Sequence, residues 1–539
     1  MSATKRKNSF HAKNDFRGLE EAVNALLWDD SENNDVANPD LIIIPPELDP
    51  LTDSEEFDED NLDDNMLPTD LSGCVELDID EDMIECDQST GSSSVINSPL
   101  ETQDQLSTSS SNSISEKYLA IDTRNCKLLK KDSRYSIEYN DNIYIETFDT
   151  TKESFAEYTP IMVFKEFLTD EIVQYMCDQT MLYAHSHKNN PKFRIDVEEM
   201  RVFIAILFFT GYHKLPTERA YWSLDEDLGV PLVSEAMTRD RYIEIKRYLH
   251  LADNTKINNS TDKMYEVRPL MNMLIGRFQQ IGYFHSNLSI DESMIKYFGR
   301  HSAKQFIRGK PIRFGYKAWM LASSCGYCYD LDVYCGKNSV EARNIPLGAS
   351  VVLNFVEKIP NPERHAIFFD NYFTTHSLMR QLADMKLKAS GTVRENRISN
   401  CKLDNNKIFK RRSRGSYDCR YDTLNDILAV KWVDNNVCSI LTNFDKMTPM
   451  HYVKRWSRES QSKINVPQPN VCATYNKHMG GVDNIDQNVS AYRIAIRGKK
   501  WWWVIFTYLI DMAMTNGSFI CQSIANAINS TRNCNSGVK

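Results

Sequence analysis

The apolar positions along this chain follow a different rule in each of its successive segments. From about residue 160 to 285 they recur at spacings of three and four, which predicts helices over 163–183, 197–212, 239–251 and 271–284. From residue 288 the pattern shortens to strands. Leu288-Ser289-Ile290 leads into Asp291, so Asp291 is expected at a strand end. Segments 318–323 and 329–334 flank a Cys325-Gly326-Tyr327 turn and read as a hairpin. A short buried strand at 366–369 ends at Asp370; a helix over 377–385 and a strand over 389–393 follow. Residues 396–469 change character again. A basic cluster (Lys410, Arg411, Arg412, Arg414) precedes a hairpin of 427–433 and 437–442 around Asp434-Asn435-Asn436. Gly480-Gly481 then opens a helix over 482–492. A basic turn, Arg497-Gly498-Lys499-Lys500, precedes an aromatic helix over 501–520.

Residues 1–116 carry no such pattern. They join acidic runs at 55–60 and 78–82 to a Ser/Thr/Asn tract at 107–115, and cannot bury enough apolar surface to fold. They are expected to be disordered, with apolar patches at 25–28 and 41–44 as docking points for a partner protein.

Charge sharpens this division. The 539 residues hold 63 Lys plus Arg and 74 Asp plus Glu, a net charge of -11. Residues 18–116 contain 28 of the acids and no Lys or Arg, so the rest of the chain is strongly basic, with +13 on 117–539. An acidic arm on a basic body points to a polyanion as partner. No signal peptide opens the chain, and no apolar run reaches 18 residues; the best, 501–510, stops at Asp511, so no membrane is expected. Thirteen scattered Cys fit reduced intracellular thiols. The cluster Lys5-Arg6-Lys7 reads as a nuclear import signal or as a solvated basic terminus.

Three carboxylates stand out by position: Asp291 and Asp370 at strand ends, and Asp483 at a helix start with Asp486 one turn on. Clustered carboxylates suit Mg²⁺, a hard ion that prefers oxygen. A pair of such ions can activate a water or 3′-hydroxyl and stabilise the leaving oxygen at a phosphodiester. Acids at strand ends and helix starts also serve simply as backbone caps. The stretch after Asp291 favours the first use. Arg300, Lys304, Arg308, Lys310, Arg313 and Lys317 are interleaved with Tyr297, Phe298, Phe306, Phe314 and Tyr316, which pairs phosphate neutralisation with base stacking.

Three blocks then resemble piggyBac transposases. They are Ser289-Ile290-Asp291-Glu292-Ser293-Met294 with Gly299 to Pro311; Phe369-Asp370-Asn371-Tyr372-Phe373-Thr374; and Tyr475-Asn476-Lys477 through Gly480-Gly481-Val482-Asp483-Asn484-Ile485-Asp486, followed by Arg497 to Trp501. The resemblance spans roughly 155–520 and is nearest to piggyBac transposable-element-derived proteins. It implies an α/β fold: an RNase H-like catalytic core, an all-helical dimerisation and DNA-binding domain, a β-rich insertion and a disordered acidic arm. The boundaries become 1–116 for the arm, 117–285 and 493–539 for the helical domain, 286–395 and 470–492 for the core, and 396–469 for the insertion. It implies catalysis by Asp291, Asp370 and Asp483, with Asp486 as a fourth metal ligand and two Mg²⁺ ions. It also implies DNA contacts from the 300–317 cluster and from Arg497, Lys499 and Lys500, a homodimer, and cutting and joining at TTAA in the nucleus. One departure is that the family's cysteine-rich zinc module is missing: only Cys521 and Cys534 follow the last helix. Two rival readings are a catalytically silent DNA-binding or chromatin protein descended from a transposase, and an unrelated metal hydrolase. The latter leaves the basic body unexplained.

Overall fold

The computed structural model describes residues 153–536, apart from 282–284, 308–309, 337–344, 399–402 and 404, together with short strands at Asn8–Phe10, Asp40–Ile44, Gly73–Asp78 and Leu128–Leu129. Up to Gln280 the regular elements of the body are helical: α1 (Pro160–Phe167), α2 (Asp170–Ser186), α3 (Val197–Tyr212), α4 (Pro231–Ala236), α5 (Arg239–Tyr248) and α6 (Arg268–Gln280). The single helix expected over 163–183 is two. Thr169 accepts a hydrogen bond from Ile172 N–H and is followed by Asp170 and Glu171, a helix-start signal inside one continuous apolar stripe.

The strands β1 (Asn287–Lys296), β2 (Gln305–Phe306), β3 (Phe314–Ser323), β4 (Cys328–Val333), β5 (Ala366–Phe369) and β6 (Lys388–Thr392) form the middle of one mixed sheet. β3 lies between β1 and the outer pair β2 and β4, antiparallel to all three. β5 runs parallel to β1 and β6 parallel to β5, linked through α7 (Leu347–Val356) and α8 (His376–Asp384). All ten residues of β3 and all four of β5 are buried, as befits strands covered on both faces. The expected insertion does carry strands: β7 (Tyr417–Asp422), β8 (Ile427–Val433) and β9 (Val437–Thr442) continue the same sheet through the β9–β6 pairing. Only β10 (His451–Ser457) and β11 (Ser462–Gln468) make a separate two-stranded ribbon.

Residues 40–44 pair with β2, Leu41 opposite Phe306, and Gly73–Asp78 and Asn8–Phe10 follow in order. The expectation of an arm without regular structure is corrected at these three strands. An apolar Leu-Ile-Ile-Ile run satisfies its backbone on an open sheet edge. The patch at 25–28 and the clusters at 5–7 and 107–115 lie outside the described residues.

After α9 (Asn470–His478) and α10 (Gly481–Ala491) comes the long α11 (Trp503–Ser536), longer than the expected 501–520. Its first 24 residues are long and apolar enough to cross a membrane, but 67% of their most apolar stretch is buried in the body, the position of a core helix. It packs on α1, where Gly517 faces Phe164 and Phe167, and its buried Asn516 bonds both the N–H and the C=O of Cys328 on β4. The helices that precede and follow the sheet in sequence therefore meet in space, against the strands that carry the site.

Candidate active site

The parallel register between β1 and β5 ends with Ile290 opposite Phe369. The next residues on the two strands are Asp291 and Asp370, so adjacent strands deliver two carboxylates side by side, about 4.8 Å apart in backbone. Asp291 lies in the interior of a ten-residue strand, which corrects the strand-end expectation. β1 runs on because β3 remains paired to it through Lys296, whereas β5 stops at Phe369. Beyond that point β1 has lost one neighbour, and the gap admits the side chains. Asp291 accepts a hydrogen bond from Glu292 N–H at 2.9 Å, and Asp370 from Tyr372 N–H at 2.8 Å, an Asx-type turn at the strand end. Arg397 donates to the carbonyls of Asn371 and Tyr372, and Arg394 to the Asn371 side chain, fixing that turn.

One carboxylate beside this pair had no signal in the sequence. Carboxylate oxygens of Asp291, Glu292 and Asp370 all lie within 4.8 Å of one another. Strand alternation would send Glu292 to the opposite face, so only the strand gap, invisible in sequence, brings it in. Asp483 is not in this group. It sits on an exposed face of α10, whose buried stripe is Gly481, Val482, Ile485 and Val489. Asp486 is held instead: its Oδ1 accepts from Ser293 Oγ of β1 at 2.6 Å and from Tyr508 Oη of α11 at 3.3 Å.

Lys310 ties these acids together. Its Nζ is 3.1 Å from Glu292 Oε1. Burial works against its charge, but Glu292, Asp291 and Asp483 outweigh burial and raise its pKa. Burial raises the Asp291 carboxyl strongly, with the charges of Glu292 and Asp370 adding to it; Asp370 is raised by burial and by Glu292. Burial also raises Asp486, against the hydrogen bonds from Ser293 and Tyr508. Crowded, partly dehydrated carboxylates that resist ionisation, offering only oxygen donors, fit a hard divalent cation.

The expected phosphate-binding cations divide sharply. Arg300, Arg313 and Lys499 are exposed, and Arg497 is half-buried. Lys304 is buried and donates to Phe298 O; Lys317 is buried against the stacked pair Trp319 and Tyr372, 4.1 Å and 4.7 Å from their ring centres. Lys500 donates to the carbonyls of Arg247 and Leu249 and lies over Tyr183 and Trp502. Lys304, Lys317 and Lys500 thus have their ammonium groups engaged within the fold, and Lys310 faces acids. Arg308 lies outside the described residues.

With this geometry in view, the comparisons with known proteins are specific. The family described as Transposase IS4 matches residues 159–518. Human PiggyBac transposable element-derived protein 3 is 37% identical over 361 residues, 66% of this chain and 60% of that protein. Human PiggyBac transposable element-derived protein 2 is 34% identical over 365 residues, 67% and 61%. The chain belongs to the transposase family of the piggyBac type. It spans about three fifths of the length of the curated relatives it matches. A solved piggyBac transposase in a synaptic complex with hairpin DNA shares the fold, with a TM-score of 0.57 at 23% identity over 69% of this chain and 76% of that one.

One glycine of this piggyBac-type chain sets the approach of α10. A Cβ on Gly481 would lie 2.2 Å from Ser323 O and 2.3 Å from Ser289 Oγ, whereas at Gly480 it would meet open space. Gly481→Val is expected to destabilise the protein by about 1–3 kcal/mol, the range for overpacking, and to shift Asp483 and Asp486 off β1. Gly480→Ala is expected to change stability by under about 0.5 kcal/mol. Urea melts of the two variants check this; equal stability would show that α10 is not seated by Gly481.

Proposed function

We propose that this chain is a metal-dependent DNA strand-transfer enzyme, with an RNase H-like core around Asp291, Asp370 and Asp483. The observation that carries it is the in-register placement of Asp291 and Asp370, joined by Glu292, in a chain of a transposase family. Asp291, Glu292 and Asp370 would hold Mg²⁺, two ions in the full site with Asp483 and Asp486. Bound there, the metal supplies Lewis-acid polarisation of a phosphodiester and an acidified water. The protein's own groups do the rest. The Asp370 turn, fixed by Arg394 and Arg397, holds one wall rigid. The Ser293–Asp486–Tyr508 cluster couples α10 to β1, so the face bearing Asp483 cannot drift. Lys310 places a positive charge among the acids, which lessens their repulsion of an incoming phosphate.

In this reading water attacks a phosphodiester, and the freed 3′-hydroxyl attacks a second one at a TTAA target. The chain works as a homodimer in the nucleus, and the acidic arm recruits protein partners or competes with DNA for the basic body. A second reading, a silent DNA-binding descendant, draws support from the exposure of Asp483 outside the carboxylate group. The test is nicking of supercoiled DNA carrying TTAA-flanked ends, in Mg²⁺ and in Mn²⁺. Metal-dependent nicks are the expected result. Firm DNA binding without a nick in either metal would favour the silent descendant.

A further inference from the structure

The ribbon β10–β11 has an inner and an outer face. Antiparallel pairing sets Lys454 opposite Asn465, Trp456 opposite Lys463, and Val453 opposite Val466. On the inner side Val466 is buried, Val453 packs on the core beneath the ribbon, and Arg455 Nε reaches Asp434 Oδ2 at 2.7 Å. Period-two alternation therefore turns Tyr452, Lys454 and Trp456 outward together. Tyr452 is 70% exposed and Trp456 56%, large rings of the kind rarely left together in water without a use.

The ribbon is held in place near both its ends. Trp432 Nε1 donates to Pro467 O at 2.9 Å, and Arg414 Nη1 donates to Trp456 O at 3.0 Å. Gly415, at φ +89, lets the chain press against Pro467, where a Cβ would lie 2.6 Å from the ring. The outer face and the tip carry Lys454, Lys463 and Arg458 against a single acid, Glu459, while Arg455 faces inward on Asp434. The occupant of this face is thus planar and anionic. Tyr452 and Trp456 stand about 13 Å apart along the strand, at roughly 3.3 Å per residue, with Lys454 midway on the same face. Rings that far apart, flanking a cation, match two bases separated by an intervening nucleotide on an extended strand, with backbone phosphate between them. Bases inside a duplex already have both faces stacked, and opening a step costs a few kcal/mol; unpaired bases do not carry that penalty.

We propose that the outer face of β10–β11 is a stacking platform for unpaired bases at opened or cut DNA ends. The proposal rests on the DNA-processing reading above and adds to it a substrate feature, single-stranded character. The test measures fluorescence anisotropy of the full chain with a blunt duplex and with the same duplex bearing a single-stranded tail. Tyr452→Ala/Trp456→Ala is expected to weaken binding to tailed DNA at least about tenfold, from stacking worth about 1–3 kcal/mol per base, and to leave blunt-duplex binding nearly unchanged. Trp456→Phe, which keeps a ring, should retain much of the tailed affinity. An unchanged melting temperature verifies that these exposed substitutions leave the fold intact. Equal weakening on both DNAs, or none on the tailed one, would overturn the platform while leaving DNA binding standing. Displacement of the tail by an acidic peptide at matched concentration would assign the face to a protein and also overturn it. A wild-type chain that binds neither DNA would bring down the DNA reading itself.

Discussion

Asp291→Asn is expected to abolish metal-dependent DNA cleavage and, at the same time, to make the metal-free protein more stable above neutral pH. Burial and the charges of Glu292 and Asp370 raise the Asp291 carboxyl well above its ordinary 3.8. A carboxyl raised in the folded state binds its proton more tightly there than in the unfolded chain. Its contribution is therefore fully present below the unfolded value and is lost as pH rises through the folded one. Without metal, wild-type stability should fall over that window, and Asn should remove the fall. Divalent cations need the ionised carboxylates, so their binding displaces protons, and Mg²⁺ should raise the wild-type melting temperature most at high pH. The Asn variant should show little such rise. Cleavage should drop by at least about 10³-fold, the upper range for losing a single group that stabilises developing charge. DNA affinity should be kept or slightly raised, because a negative charge leaves a polyanion site. Lys310→Met should act with the opposite sign, lowering the metal-free melting temperature by removing the cation beside Glu292. Melting curves across pH with and without Mg²⁺, run beside a nicking assay, decide it. Full cleavage by Asp291→Asn, or a melting profile in Mg²⁺ identical to that of wild type, would end the metal-site reading.

The two carboxylates that the structure joins were legible because each follows an apolar strand, and the register of two parallel strands places them level. Helix 197–212 and the hairpin of 427–433 with 437–442 could be read to the residue, since each has a clean period and an unambiguous end: Asp196 caps the helix, and Asp434-Asn435-Asn436 turns the hairpin. Other features had no such signal. Thr169 divides α1 from α2 without interrupting the apolar stripe. Glu292 enters the site only because β5 ends level with Ile290, two residues short of it. The ribbon β10–β11 escaped notice because it is exposed along most of its length and lacks an alternating apolar face. The basic cluster after Asp291 was legible only as a position in the chain. Spacing shows where cations fall in the chain, but not whether a ring or a carbonyl has already taken the ammonium group, as happens at Lys304 and Lys317.

That distinction leads to a second large effect, in the salt dependence of DNA binding. Each phosphate neutralised by a side chain contributes a slope of about -0.9 in log K against log salt. If Arg300, Arg313, Arg497 and Lys499 meet phosphates, these four supply a slope near -3.6, and affinity falls about 10²-fold between 50 and 200 mM salt. The variant Arg313→Ala/Lys499→Ala should lose about 1.8 of that slope, with its melting temperature nearly unchanged, since both side chains are exposed. Lys317→Ala should behave in reverse. Its ammonium lies against the Trp319 and Tyr372 rings and contributes on the order of 1–2 kcal/mol to stability through a desolvated cation–π contact. The variant should melt earlier and keep the wild-type slope. Titrations at several salt concentrations separate the two outcomes. A slope change in Lys317→Ala as large as that of a single exposed arginine would mean that DNA draws this lysine away from its rings. The division between fold-bound and phosphate-bound cations would then be wrong, and the basic cluster after Asp291 would bind DNA as a whole.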